Sequence, residues 1–328
     1  MKKNILLSSL AISIFIFGCK KTPTDDILPT ESTPISIQKA DDASAKNELD
    51  NINDDIEKIY KSDDYAAART DGNPKVVLPC GKFTLNGKDF KISYNDTTCG
   101  TKVKSGSIDV KLIKGVKFAD PSAVLEVTFN EYKVFYNASQ TSVTYNGKQT
   151  ITNVTGGKFS DLYNADTIVH SVRGELTLRF DSISTEGESK IWHIFRKKTF
   201  ISNGTPAGLS FTLDGDTIMD GKKVIEYGTN KNNFPFVNEM TTPFHWDNCG
   251  TTYEGPYTLK AGEVNHTATN KTVLATFTGH FRVNAGYAIS TGTLAFDGTC
   301  SSAGYKLSME YKKNGISFGT PRTWFQEY

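Results

Sequence analysis

Ser107-Ile108-Asp109-Val110-Lys111-Leu112 carries an apolar side chain at every second position. Successive side chains of an extended strand point to opposite faces, so this period gathers Ile108, Val110 and Leu112 on one surface and leaves Asp109 and Lys111 on the other. The same period returns at Leu125, Val127 and Phe129, and again at Leu176, Leu178 and Phe180. Such alternation belongs to antiparallel sheets with one buried and one wet face. Asn86-Gly87, Asn146-Gly147 and Asn314-Gly315 lie between apolar runs and read as hairpin turns, because Asn and Gly tolerate the positive φ of a type I′ turn. Asp214-Gly215 and Asp220-Gly221 are weaker instances. Residues 76–328 are therefore expected to form an all-β body of roughly fifteen antiparallel strands, arranged as a sandwich, a curled sheet or an incomplete barrel. A division into two subdomains, 76–203 and 208–328, is compatible with this pattern.

Upstream of the body the pattern changes. Across residues 41–72, Leu49, Ile52, Ile56, Ile59 and Tyr60 recur at helical spacing among Asp and Lys, which predicts one acidic amphipathic helix. An acidic polar face is repelled by anionic headgroups, so the helix is expected to dock on the β body and not on a membrane. Residues 19–40 hold Pro23, Pro29 and Pro34 among Thr and Ser, too little apolar surface to fold, and read as a flexible tether. Before it, Lys2 and Lys3 precede the apolar run Ile5–Phe17 and then Gly18-Cys19, the layout of a signal peptide over residues 1–18. A run this short does not span a bilayer, which needs about 20 residues.

Charge and composition narrow the function. The chain has 37 Lys and Arg against 36 Asp and Glu, but residues 22–64 sum to −8 and residues 65–328 to +5. No clustered basic stripe exists, so no nucleic-acid partner is expected. Neither an HExxH pair, a GxSxG elbow nor a phosphate loop occurs. His170, His193, His245, His266 and His280 are scattered through strand-like runs and read as structural, so no catalytic residue, metal site or cofactor is assigned. Asp214, Asp216 and Asp220 resemble half a calcium loop, but Ile218 stands where an oxygen ligand belongs, and a turn is the better reading. Glu186 and Glu188 read as a solvated turn. Trp192, Phe195 and Phe200, then Phe234, Phe236, Phe244 and Trp246, and finally Trp324 and Phe325, read first as core and second as a surface for sugar rings or a partner.

Besides Cys19, the chain contains Cys80, Cys99, Cys249 and Cys300, an even number that suits an oxidising compartment. Cys80 and Cys99 flank the Asn86-Gly87 turn, and Cys249 and Cys300 lie on late strands, so the expected disulfides are Cys80–Cys99 and Cys249–Cys300.

Several short motifs resemble a family. Ile16-Phe17-Gly18-Cys19 resembles the lipobox read by lipoprotein signal peptidase, which implies lipidation of Cys19. Lys91-Ile-Ser-Tyr-Asn-Asp-Thr-Thr-Cys99-Gly-Thr-Lys-Val-Lys-Ser-Gly106 resembles a recurring segment of uncharacterised exported lipoproteins of the Bacteroidota, in which an "ITIDFG" strand leads to a Cys and then "GRTRSGKI". Val143–Val154 is similar to that family's hairpin ending in "TVTN". Trp246-Asp-Asn-Cys249-Gly and Asp297-Gly298-Thr-Cys300 are similar to its late Cys and closing "DYGDGTC" strand. Thr97, Thr167, Ser182 and Thr217, each following an Asp, resemble the Asp-(Ser/Thr)-apolar O-glycosylation signal of exported proteins from the same group. The resemblance implies location and architecture, not an activity: an envelope protein, lipid-anchored to the outer membrane, with a glycan or protein as partner. The expected role is a non-catalytic binding or surface-structural module. The competing expectation is a hydrolase acting on glycans or peptides through residues distant in sequence, which a cleft with convergent carboxylates would distinguish from a binding face.

Overall fold

The computed structural model describes positions 45, 48–49, 51–53, 55–56 and 59, and then residues 80–164, 166–182, 186–252, 255–270, 275–287, 304–317 and 322–327. Cys19, the expected signal peptide and the expected tether lie outside the described residues. The body is antiparallel β throughout. Strands β1 (Lys82–Asn86), β2 (Asp89–Cys99), β3 (Lys102–Lys114), β4 (Ala123–Tyr136), β5 (Thr141–Asn153), β6 (Thr167–Ser182) and β7 (Ser189–Ile201) pair each with the next. They are followed by β8 (Ser210–Gly215), β9 (Thr217–Met219), β10 (Lys222–Thr229), β11 (Pro235–Thr252), β12 (Gly255–Asn270), β13 (Ala275–Tyr287), β14 (Gly304–Lys313), β15 (Ile316–Ser317) and β16 (Arg322–Glu327). Together the described strands make one 16-stranded sheet. Residues 203–208, the expected division, lie in the turn between β7 and β8, two strands that pair with each other.

The meander is interrupted once. β8 pairs with the second half of β7 and the second half of β11, and β10 pairs with the first halves of the same two strands. β8 and β10 thus share one place in the sheet, and the hairpin of β9 with the start of β10 projects from between them. Gly215 permits this, because a Cβ there would sit 2.8 Å from the Val224 carbonyl oxygen.

Turn chemistry explains where the hairpins fall. Asp220-Gly221 and Asn314-Gly315 both have positive φ at both residues and close the β9–β10 and β14–β15 hairpins as two-residue loops. At β1–β2 the loop residues are Gly87-Lys88, one step beyond the expected pair, and only Gly87 has positive φ. Asn146-Gly147 is not a hairpin: it lies inside β5, opposite Thr177 and Leu176. Its special backbone serves an irregularity in β4 instead. Asn146 Oδ1 accepts from the Glu131 N–H at 2.8 Å, its Nδ2 donates to Glu131 Oε1 at 2.7 Å, and Gly147 takes φ 112°. The β4–β5 turn is made at 137–140, where Gln140 has φ 55°.

One face of the sheet is the core. Ile108, Val110, Leu125, Val127, Leu176, Leu178 and Trp192 join a single apolar cluster with Leu49, Ile52, Ile56 and Ile59. Every described position from 45 to 59 is helical, so the predicted amphipathic helix docks its apolar stripe on this inner face. Burying each aliphatic side chain stabilises by about 1.5–3 kcal/mol. Among the described residues no helix is long and apolar enough to cross a membrane.

Candidate binding face

Because side chains alternate, the face opposite the helix can be read along the strand registers. One row crosses from Lys91 through Asp109, Thr128, Lys148, Glu175, His193, Tyr227, Val237, Thr267 and Thr278 to Lys312, each residue paired with the next. None of these residues is buried. The row is polar except at His193, Tyr227 and Val237.

There the rings stack. His193 and Tyr227 lie with centroids 4.5 Å apart and planes 20° from parallel, and Phe195 lies 5.7 Å from Tyr227 at 10°. Trp192, Ile194 and Arg196 of β7 point inward, so Ile191, His193, Phe195 and Lys197 point out. Ile191 is 49% exposed. Polar groups border the stack. Glu175 Oε2 stands 3.5 Å from His193 Nδ1. Arg173, opposite Phe195, donates from Nε to Asp216 Oδ2 at 2.8 Å, and Ser171 donates to the same oxygen. The Asp216 N–H donates to the Phe195 carbonyl, which brings the projecting hairpin beside the rings.

The inner face is also polar in two places, each built around buried charges. Glu48 is fully buried on the helix; it accepts from Lys102 at 3.0 Å, Lys104 at 2.6 Å and the Tyr132 hydroxyl at 2.7 Å. Burial by itself would raise its pKa. The Lys104 and Lys102 ammonium charges and the hydrogen bonds from Lys104 and Tyr132 outweigh that and hold it at about 2. Further along, Arg196 pairs with Glu226 at 3.0 Å, Glu226 accepts from Asn238 at 2.6 Å, and Asn238 Oδ1 meets His266 Nδ1 at 2.7 Å. The first ties the helix to β3 and β4, and the second ties β7, β10, β11 and β12 together.

The remaining sequence candidates are placed as follows. Cys80 and Cys99 form a disulfide with Cα atoms 5.8 Å apart. Cys249 is disulfide-bonded as well, while its expected partner Cys300 lies outside the described residues. Thr167 and Ser182 are exposed; Thr97 and Thr217 are half-buried. Glu186 pairs with Arg179 at 2.9 Å and Glu188 with Lys190 at 2.7 Å, both carboxylates mostly in water. Asp214 pairs with Lys223, and Ile218 is exposed. His245 meets Asp247 at 2.8 Å, and Glu263 accepts from His280 and Arg282. Among the described residues no group of three or more His, Cys, Asp or Glu is placed to hold a metal ion. A hollow of about 240 Å³, lined by Phe180, Ser182, Gly187, Glu188, Lys231 and Asn232, brings a single carboxylate to its wall.

Of the named aromatics, Trp192, Phe200, Phe236, Phe244 and Trp246 are core, Phe195 and Phe234 are half-buried, and the side chains of Trp324 and Phe325 lie outside the description. Sequence reasoning missed Tyr227 and treated His193 as structural. Alternation around the buried Trp192 is the signal that turns His193 and Phe195 outward. Compared with known proteins, the chain matches no family model, no curated protein and no solved structure.

Proposed function

We propose that this chain is a lipid-anchored envelope protein of the outer membrane whose β body binds a glycan or protein partner without catalysis. The signal-peptide layout, Cys19 and the Pro- and Thr-rich spacer support the anchor. The observation that carries the binding reading is the parallel stack of His193, Tyr227 and Phe195, beside Ile191 and Val237, in a row that is polar on either side. The half-exposed ring surface suits the CH face of a sugar ring or an apolar side chain of a partner, and Glu175 and Arg173 supply hydrogen-bonding groups beside it.

Two arms test this reading. Cys19→Ser is expected to move the protein from the membrane to the soluble fraction and to remove the acyl mass; retention in the membrane with the mature mass unchanged contradicts the anchor. The mature chain, screened on glycan arrays and assayed for hydrolysis of polysaccharide, ester and peptide substrates, is expected to bind and not to turn over. Turnover abolished by replacing one carboxylate or His assigns the protein to the hydrolases instead.

A further inference from the structure

Five exposed apolar side chains, Ile113, Val116, Val154, Tyr163 and Ile201, come from the ends of β3, β5 and β7 and from the segments that follow β3 and β5. Antiparallel pairing brings all of these to the same end of the sheet. The segments there form a plate. Asn153 is fully buried; its Nδ2 donates to the carbonyls of Phe118 at 3.0 Å and Gly157 at 2.9 Å, and its Oδ1 accepts from the Gly156 N–H at 3.0 Å. The Gly157 N–H donates to the Ala119 carbonyl, and the Ser202 N–H to that of Asp166. A small core of Leu162, Ile168, Phe200 and Leu209 lies beneath. The apolar tips are therefore held out by design of the loops. Asp120 Oδ2 accepts from the N–H groups of Val116 at 2.8 Å and Lys117 at 2.9 Å, fixing a turn on which Val116 is 73% exposed.

The charges of this end divide by role. Asp89, Asp120, Asp161 and Asp166 each accept backbone N–H groups. Lys111, Lys114, Lys117 and Lys158 are exposed and form no ion pair among the described residues.

We infer that this end plate is a contact surface for an anionic lipid bilayer, with Val116 and Tyr163 entering the interfacial layer and Lys114, Lys117 and Lys158 at the headgroups. Apolar tips interleaved with lysines and a tyrosine match that layer's chemistry, part hydrocarbon and part anionic headgroup. The inference rests on the proposed anchor for its biological setting: 25 residues separate Cys19 from Ala45 and span at most about 90 Å, so a weak contact acts at high effective concentration.

The test uses the chain from residue 19 onward with Cys19→Ser, which keeps every described residue and whose outcome does not depend on native lipidation. Its cosedimentation is measured with phosphatidylcholine vesicles and with vesicles about one-third phosphatidylglycerol. Binding to the anionic vesicles that weakens with salt is expected, with a roughly tenfold loss in Val116→Asp/Tyr163→Asp. Ile316→Asp, an exposed position at the opposite end, is expected to leave binding unchanged. Thermal melting verifies the fold of each variant, and Lys114→Glu/Lys117→Glu replaces the first pair if it fails to fold. Absence of binding to anionic vesicles, or equal binding by the plate variants, overturns the inference. So does a lipid-free dimer of the parent chain that the plate variants lose, which assigns the surface to a second copy.

Discussion

Glu48 is a carboxylate placed on the apolar stripe of the helix. It is the charged pin of the helix against β3 and β4. Helical spacing from Ala45, Ile52 and Ile56 puts it on the buried stripe, but its partners, on strands more than fifty residues away, are not legible from the helix. The consequence is testable. Its carboxyl is held at about 2 against an ordinary 4.5, so its contribution is complete above about pH 4.5 and is lost as the pH falls toward 2. At 1.36 kcal/mol per pKa unit that contribution is about 3 kcal/mol. Glu48→Gln is expected to lower urea stability at pH 7 by roughly this amount or somewhat less, since the partly exposed lysines regain water. The gap between variant and parent should close on going from pH 5 to pH 2. A gap independent of pH would mean that the ion pairs contribute nothing.

At the scale of elements, turns were legible where local backbone chemistry acts alone. Asp220-Gly221 and Asn314-Gly315 make the hairpins their φ preferences dictate, whereas the same preference at Asn146-Gly147 is used by tertiary contact with Glu131. The sequence pattern cannot separate a turn from an irregularity in mid-strand, because both ask for positive φ. The Cys80–Cys99 bridge was legible because the two cysteines flank one hairpin. It ties down β1, which among the described strands is an edge paired with β2. A separation of 19 residues corresponds to about 3 kcal/mol of loop-closure entropy. Cys80→Ser/Cys99→Ser should lose about that much stability, with hydrogen exchange accelerated first over Lys82–Asn86. Equal acceleration across β3–β6 would show that the bridge supports the whole sheet and not its edge.

For the whole molecule, period-two alternation foretold an antiparallel sheet with one dry face, and among the described residues the dry face of β2–β7 packs against the protein's own helix. Sequence could not reveal which strands would align their outward residues, since the row from Lys91 to Lys312 is set by registers spanning the whole body. For that reason Tyr227 escaped notice while Phe195 did not. With the helix packed on the inner face of β2–β7, the proposed recognition is assigned to the outer face. The decisive measurement is the Kd of the mature chain for its best array ligand, compared with that of Tyr227→Ala. Removing the ring at the centre of the stack is expected to weaken binding by about tenfold or more while leaving the melting temperature nearly unchanged. An unaltered Kd in Tyr227→Ala would contradict the assignment of binding to this face.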